Sequence, residues 1–298
     1  MNLSRSTRSG VTAIEAIVVA VIVLIVFLIV LMSLPRSRDS ARLETCRSNL
    51  RGIGEGIILY DQVKGRLPEI PASIEAEAKT PSPLATILDE FGVAGFGRIR
   101  AEAKAVQAGS PRGIAVDRVP GVACPSDPDA LVSQFKAPVG YRANTGSEPT
   151  GADGPFAPGL RGTIAEIEAA DGASFTVAYS ERLVGDGRDV PARHAYRVVD
   201  HAVGVEGCDP TGGTWRGDAG FSWRETSWRS TLYNHLARPN PPKSCVARDG
   251  RSADMGASSG HINGVNALSL DGGVRFFTNG VDPKIWRDSA TTGIKPAR

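Results

Sequence analysis

An apolar run over residues 16–32, entered through Gly10-Val11-Thr12-Ala13-Ile14-Glu15, constrains this chain more than any other feature. About 20 such residues at 1.5 Å each cover roughly 30 Å, so the run predicts a helix of membrane length. Glu15 places a carboxylate at the mouth of that helix, five positions after a glycine, where an unpaired charge is expensive. A cleaved secretory signal is disfavoured. Such a signal carries a small-x-small site after its apolar core, whereas Met32-Ser33-Leu34-Pro35-Arg36-Ser37 follows here. A plain single-pass anchor accounts for the length and leaves Glu15 unexplained. The charged flanks do not set an orientation, because Arg5 and Arg8 face Arg36, Arg38 and Arg42.

Beyond the run, 298 residues with 41% hydrophobic and 22% charged side chains leave enough chain for one sizeable folded body or two small ones. Without Arg5 and Arg8, 32 basic side chains balance 32 acidic ones, so no polyanion-binding surface and no nucleic-acid partner are expected. Thirty-four glycines and 20 prolines predict short strands joined by many loops. Cys46, Cys124, Cys208 and Cys245 are an even set with no C-x-x-C spacing. They read as two disulfides in an exported body before they read as metal ligands, with three connectivities open.

Leu43, Cys46, Leu50, Ile53, Ile57 and Tyr60 recur at intervals of three and four, so the helix continues past the apolar run to about residue 63. That makes roughly 80 Å of nearly continuous helix, with a bend expected at Pro35. Gly52, Gly54 and Gly56 each cost about 1 kcal/mol in a helix interior, which points to close packing against the body. They do not form a nucleotide loop, since no strand precedes them. Lys64-Gly65-Arg66-Leu67-Pro68 ends the helix, and Ser82-Pro83 starts another that runs to about Phe91. Strand-like runs lie at 174–183, 195–205 and 265–277. The last breaks at Asp271-Gly272-Gly273, a hairpin signal, and Asp282-Pro283 opens a terminal helix carrying Trp286. The expected class is α+β: a long amino-terminal transmembrane helix packed on an antiparallel sheet.

The Gly10 to Glu15 stretch with its apolar run resembles a type IV prepilin signal. The resemblance implies that a basic leader, residues 1–10, stays cytosolic and is cut after Gly10 by a prepilin peptidase. Val11 then becomes a methylated amino terminus, and Glu15 pairs with such an amine as subunits assemble. A second signature, His261 followed after nine residues by Asp271-Gly272, resembles the prepilin-type H-x9-DG family, domain of unknown function 1559. Cys46-Arg47-Ser48-Asn49-Leu50-Arg51, Cys124-Pro125-Ser126-Asp127-Pro128, Tyr141-Arg142-Ala143-Asn144-Thr145-Gly146, Asp171-Gly172-Ala173-Ser174-Phe175-Thr176 leading to Glu181, and Tyr233-Asn234-His235 with Pro239-Asn240 agree in order. Phe175 and Gly273 depart from the family's usual asparagine and serine.

The resemblance divides the chain into the leader, a transmembrane part at 11–34, an extracytoplasmic helix at 35–63 and a globular pilin-like domain at 64–298, with a variable region at about 71–119 and the signature hairpin at 261–277. It implies a pseudopilin-like structural subunit of a pilus-like or type II secretion-like assembly. Such a subunit sits in the inner membrane with its amino terminus in the cytosol and can be drawn into a surface filament. Its partners are the peptidase, other pilin-like subunits, the assembly platform and membrane lipid. Because related sequences tend to carry the stem cysteine and the Cys-Pro-Ser-Asp cysteine together, the implied pairing is Cys46 with Cys124 and Cys208 with Cys245.

Against these stand the chemical readings. His261 and Asp271 are common ligands and acid/base groups, but a turn already accounts for Asp271-Gly272. The nine residues between form one strand that keeps the two apart, and His261 is expected to bond backbone carbonyls. Gly256-Ala257-Ser258-Ser259-Gly260 matches a hydrolase elbow in letters but lacks the preceding apolar strand and following helix. No enzyme, cofactor or metal is expected. Trp215, Phe221, Trp223 and Trp228 crowd into one glycine-rich stretch and read first as core. If exposed, the tryptophans would form a surface for glycan or protein, the basis of an alternative reading as an outward-facing binding module.

Overall fold

The computed structural model describes residues 12–74, 80–91, 119, 121–132, 135, 137–209 and 211–294, with the backbone alone at 29–37 and 131–132. It divides into two compact units, Met1–Ala41 and Arg42–Arg298. The helix α1, Ala13–Lys64, is 52 residues long and unbroken at Pro35. In the first unit it carries a fully exposed apolar surface, Ile14 through Leu28. The expected transmembrane helix is not borne out: among the described residues no helix is long and apolar enough to cross a membrane.

In the second unit the predicted stripe of α1 is buried. Cys46, Leu50, Ile53, Ile57 and Tyr60 are 5% exposed or less and belong to the main core, while Leu43 is half-buried. Gly54 explains one of the three helix glycines. A Cβ there would stand 2.9 Å from Leu268 Cδ1 and 3.3 Å from Gly272 Cα, so the missing side chain lets the helix lie against the body. Gly65, at φ 66°, ends the helix as expected.

Among the described residues four short helices follow: α2, Pro83–Phe91; α3, Pro128–Val132; α4, Ile164–Ala170; and α5, Pro283–Asp288. Each is set by a cap. Ser82 Oγ accepts the Ala85 N–H, Asp127 accepts from Asp129 and Ala130, Thr163 and Glu166 form a capping box, and Asp282 accepts from Lys284 and Ile285.

Strands β1, Tyr141–Asn144; β2, Val177–Glu181; β5, Leu232–Tyr233; β8, Gly264–Ser269; and β9, Val274–Thr278 form a sheet in the order β5-β1-β2-β8-β9. Strands β3, Tyr196–Val199; β4, Thr214–Arg216; β6, Cys245–Ala247; and β7, Ala253–Asp254 form a second, ordered β4-β3-β6-β7. Here the expected single antiparallel sheet is corrected. Among the described residues there are two sheets and both are mixed, because β1 pairs parallel with β5 and β3 parallel with β6. The long stretches of chain between these partners, which carry other strands of both sheets, make the crossovers that parallel pairing requires. The β8–β9 hairpin closes at Asp271-Gly272 as expected, with Gly272 at φ 87° and Asp271 Oδ1 accepting the Gly273 N–H at 2.8 Å. Cys46–Cys124 and Cys208–Cys245 are both disulfide-bonded, the pairing the resemblance implied.

Candidate functional site

Strand β2 carries Val-Ala-Tyr-Ser and then Glu181, which is 1% exposed at the strand's end. A carboxylate taken out of water needs donors to replace it. Asn266, on the neighbouring β8, supplies its backbone N–H at 2.7 Å and its side-chain amide at 3.1 Å, and His261 Nε2 supplies a third bond at 3.1 Å. Arg47 Nε on α1 donates to Asn266 Oδ1 at 3.3 Å and holds that amide in place. The backbone of His261 is fixed by its N–H to Ser259 Oγ, and Nε2 lies 3.4 Å from Cys124 Sγ. Tyr141 is the cross-strand neighbour of Glu181. Its hydroxyl donates to Cys46 O, and burial together with the Glu181 charge pushes its phenol well above the usual range. Helix α1, the Cys124 loop, β2 and the turn before β8 thus converge on one buried carboxylate.

Beside this hub lies a cleft of about 370 Å³ lined by Ser126, Asp129, Leu183, Arg193, His194 and Gly260, among others. His194 stands between Asp129, 3.6 Å from Nδ1, and Asp186, 3.3 Å from Nε2. Under the cleft Asp127 accepts the Val184 N–H at 2.7 Å, and burial pushes its carboxyl up to about 6. Two fully buried guanidiniums lie deeper. Arg182 donates to Gly256 O and Arg142 to Trp228 O, and burial together with the charge of Arg182 pulls Arg142 well below the usual arginine range.

Of the residues expected to matter, Gly10 and Val11 lie outside the described residues. Glu15 sits in the first turn of α1. Its carboxylate accepts the Thr12 N–H at 2.8 Å and the Thr12 hydroxyl at 2.9 Å, bonds that hold its carboxyl below the ordinary value. His261 and Asp271 are not brought together: the one serves Glu181, the other its own turn. Strand β8 occupies six of the nine intervening residues, and Ile262-Asn263 form a turn with Asn263 at φ 64°. His261 therefore bonds a carboxylate, not the expected backbone carbonyls. The tryptophan surface is also corrected. Trp223 and Trp228 are 8% and 1% exposed, and Trp215 is half-buried under the Arg197 guanidinium. Ser258 is buried in an irregular loop where its hydroxyl accepts the Leu183 N–H, so no strand-to-helix elbow is built around it. Glu181, the end of a family stretch in the sequence, is the functional residue that sequence reasoning missed. The adjacent charges Glu181-Arg182 closing the otherwise uncharged run 174–180 are the signal that marks it.

Together these features define a class: an α+β body of two small mixed sheets, held by two disulfides, in which a long amino-terminal helix shares the core. The chain belongs to the family described as protein of unknown function DUF1559, whose model matches residues 35–284. No curated protein and no solved structure matches the chain.

Proposed function

We propose that this chain is a pilin-like structural subunit that assembles outside the cytoplasm through α1, after a prepilin peptidase removes residues 1–10. Its partners are other subunits bearing similar helices and the platform that adds them. The observation that carries the reading is the apolar surface of α1 from Ile14 to Leu28, every residue of it exposed, with Glu15 at its first turn. Contiguous apolar surface on that scale is expected to be covered, and like helices bundled side by side cover it. In such a bundle the Glu15 carboxylate, now capped by its own Thr12, would pair with the amine of a neighbour's Val11 and fix register. Two disulfides suit an oxidising compartment. A glycan- or protein-binding module is less favoured, because two of the three tryptophans on which it rested are in the core.

Substituting Glu15 tests the proposal. Glu15→Leu, expressed in the native host, should leave a folded body with both disulfides while chains recovered by shearing the cell surface fall to background. Wild-type levels of sheared, high-molecular-weight material from the variant would refute it.

A further inference from the structure

Cys46, Cys124, Glu181 and His261 bring two sulfurs, a carboxylate oxygen and an imidazole nitrogen within 4.8 Å of one another. From this geometry we infer a second state of the helix-to-body link: when the Cys46–Cys124 disulfide is reduced, both thiolates, His261 Nε2 and Glu181 Oε1 bind one zinc ion. Two thiolates with one imidazole and one carboxylate form a donor set suited to zinc. A tetrahedral zinc with bonds of about 2.0–2.3 Å separates neighbouring donor atoms by roughly 3.3–3.8 Å. His261 Nε2 already stands 3.1 Å from Glu181 Oε1 and 3.4 Å from Cys124 Sγ. The main adjustment is for the sulfurs to part to roughly 3.8 Å, within reach of cysteine rotamer changes.

The surroundings are those of a metal site. Asn266 orients Glu181 through its backbone N–H and Arg47 orients Asn266, an outer layer that fixes the carboxylate before any ion arrives. Zinc would bind Nε2 of the neutral imidazole, whose single proton moves from Nε2, where it faces Oε1, to Nδ1 by a tautomer shift through solvent. Ser126 and Gly260, close in sequence to Cys124 and His261, line the open cleft and give a small ion a way in. The electron count closes with a dithiol reductant. It gives two electrons and two protons to the disulfide and becomes a disulfide itself, and binding then releases the two thiol protons to solvent. Cys46 and Cys124 are 78 residues apart, so no short C-x-x-C spacing announced the site. In the oxidised protein both sulfurs are committed to each other, in keeping with the sequence reading of disulfides.

The test uses the full chain, reduced with a dithiol, freed of metal and titrated anaerobically with cobalt(II) chloride. One cobalt per chain should bind with thiolate-to-cobalt charge-transfer absorption and the visible bands of a tetrahedral ion, and one equivalent of zinc should displace it. The oxidised chain should bind none. Cys208→Ser/Cys245→Ser should keep the band, Cys46→Ser should lose it, and His261→Ala and Glu181→Gln should each weaken binding at least about tenfold. If the reduced chain unfolds without metal, one equivalent of zinc should restore its near-ultraviolet circular dichroism in the wild type but not in His261→Ala. No charge-transfer band and no refolding in the reduced wild type, or a band indifferent to His261→Ala, would overturn the inference.

Discussion

Replacing Gly54 by valine should loosen the contact between α1 and the β8–β9 hairpin by an amount the geometry bounds. The first added carbon would lie 2.9 Å from Leu268 Cδ1 and 3.3 Å from Gly272 Cα, inside the 3.5–4.0 Å of ordinary carbon contacts. Neither neighbour yields easily. Leu268 is fully buried, and Gly272 is backbone in a turn at φ 87°. Alanine would recover about 1 kcal/mol of helix propensity against an overpacking cost of about 1–3 kcal/mol, so Gly54→Ala should be neutral to mildly destabilising. Valine recovers less and adds two methyls. We expect Gly54→Val to cost about 2–4 kcal/mol and to lower Tm by roughly 5–10 °C in thermal unfolding followed by circular dichroism. Gly280→Ala is the control, since its Cβ would meet nothing within 4 Å, and it should stay within about 0.5 kcal/mol of wild type. A Gly54→Val chain as stable as wild type would refute the close approach.

The remaining predictions concern acid and the second disulfide. His235 is fully buried, stacked 3.6 Å from Trp286, and its Nδ1–H donates to Trp286 O while Nε2 accepts from the Tyr233 hydroxyl. Burial pushes it down to about 3, so the folded chain resists a proton that the unfolded chain takes up near 6.5. Stability should therefore be lost as pH falls below about 6.5, by about 3 kcal/mol at pH 4 and about 4 kcal/mol at pH 3. Asp127 and Asp254, each pushed up to about 6 by burial, act in the opposite sense and favour the fold by about 3 kcal/mol each as pH falls from about 6 to below 4. Urea unfolding at several pH values should accordingly give a difference between wild type and His235→Phe that shrinks as pH drops, and a constant difference would contradict the neutral imidazole. Cys208→Ala/Cys245→Ala opens a loop of 37 residues and should cost about 4 kcal/mol, read from urea midpoints, and a loss under 1 kcal/mol would contradict a structural role.

Elements governed by local rules were legible in the sequence. The helix stripe from Cys46 to Tyr60, the Ser82-Pro83 start of α2, the Asp-Gly hairpin and the Asp282-Pro283 start of α5 follow from periodicity and turn chemistry acting within a few residues. The parallel β1–β5 and β3–β6 pairs did not follow, because each joins strands far apart in the chain and nothing local encodes such a pairing. The site was half legible. His261 stood out by its spacing from Asp271, yet its partners are Glu181, 80 residues away, and Cys124, 137 away, while Asp271 is spent on its turn. Burial of Trp223 and Trp228 is likewise a tertiary fact, which composition could favour but not decide.

The central claim is that this chain is a processed, assembling subunit, and the mass of its amino-terminal peptide tests that claim most directly. Protein recovered from the native host's cell envelope should begin at Val11 carrying one added methyl group, and Gly10→Val should leave the chain beginning upstream. An envelope protein that retains residues 1–10, or one that begins at Val11 in the Gly10→Val variant as well, would contradict the account.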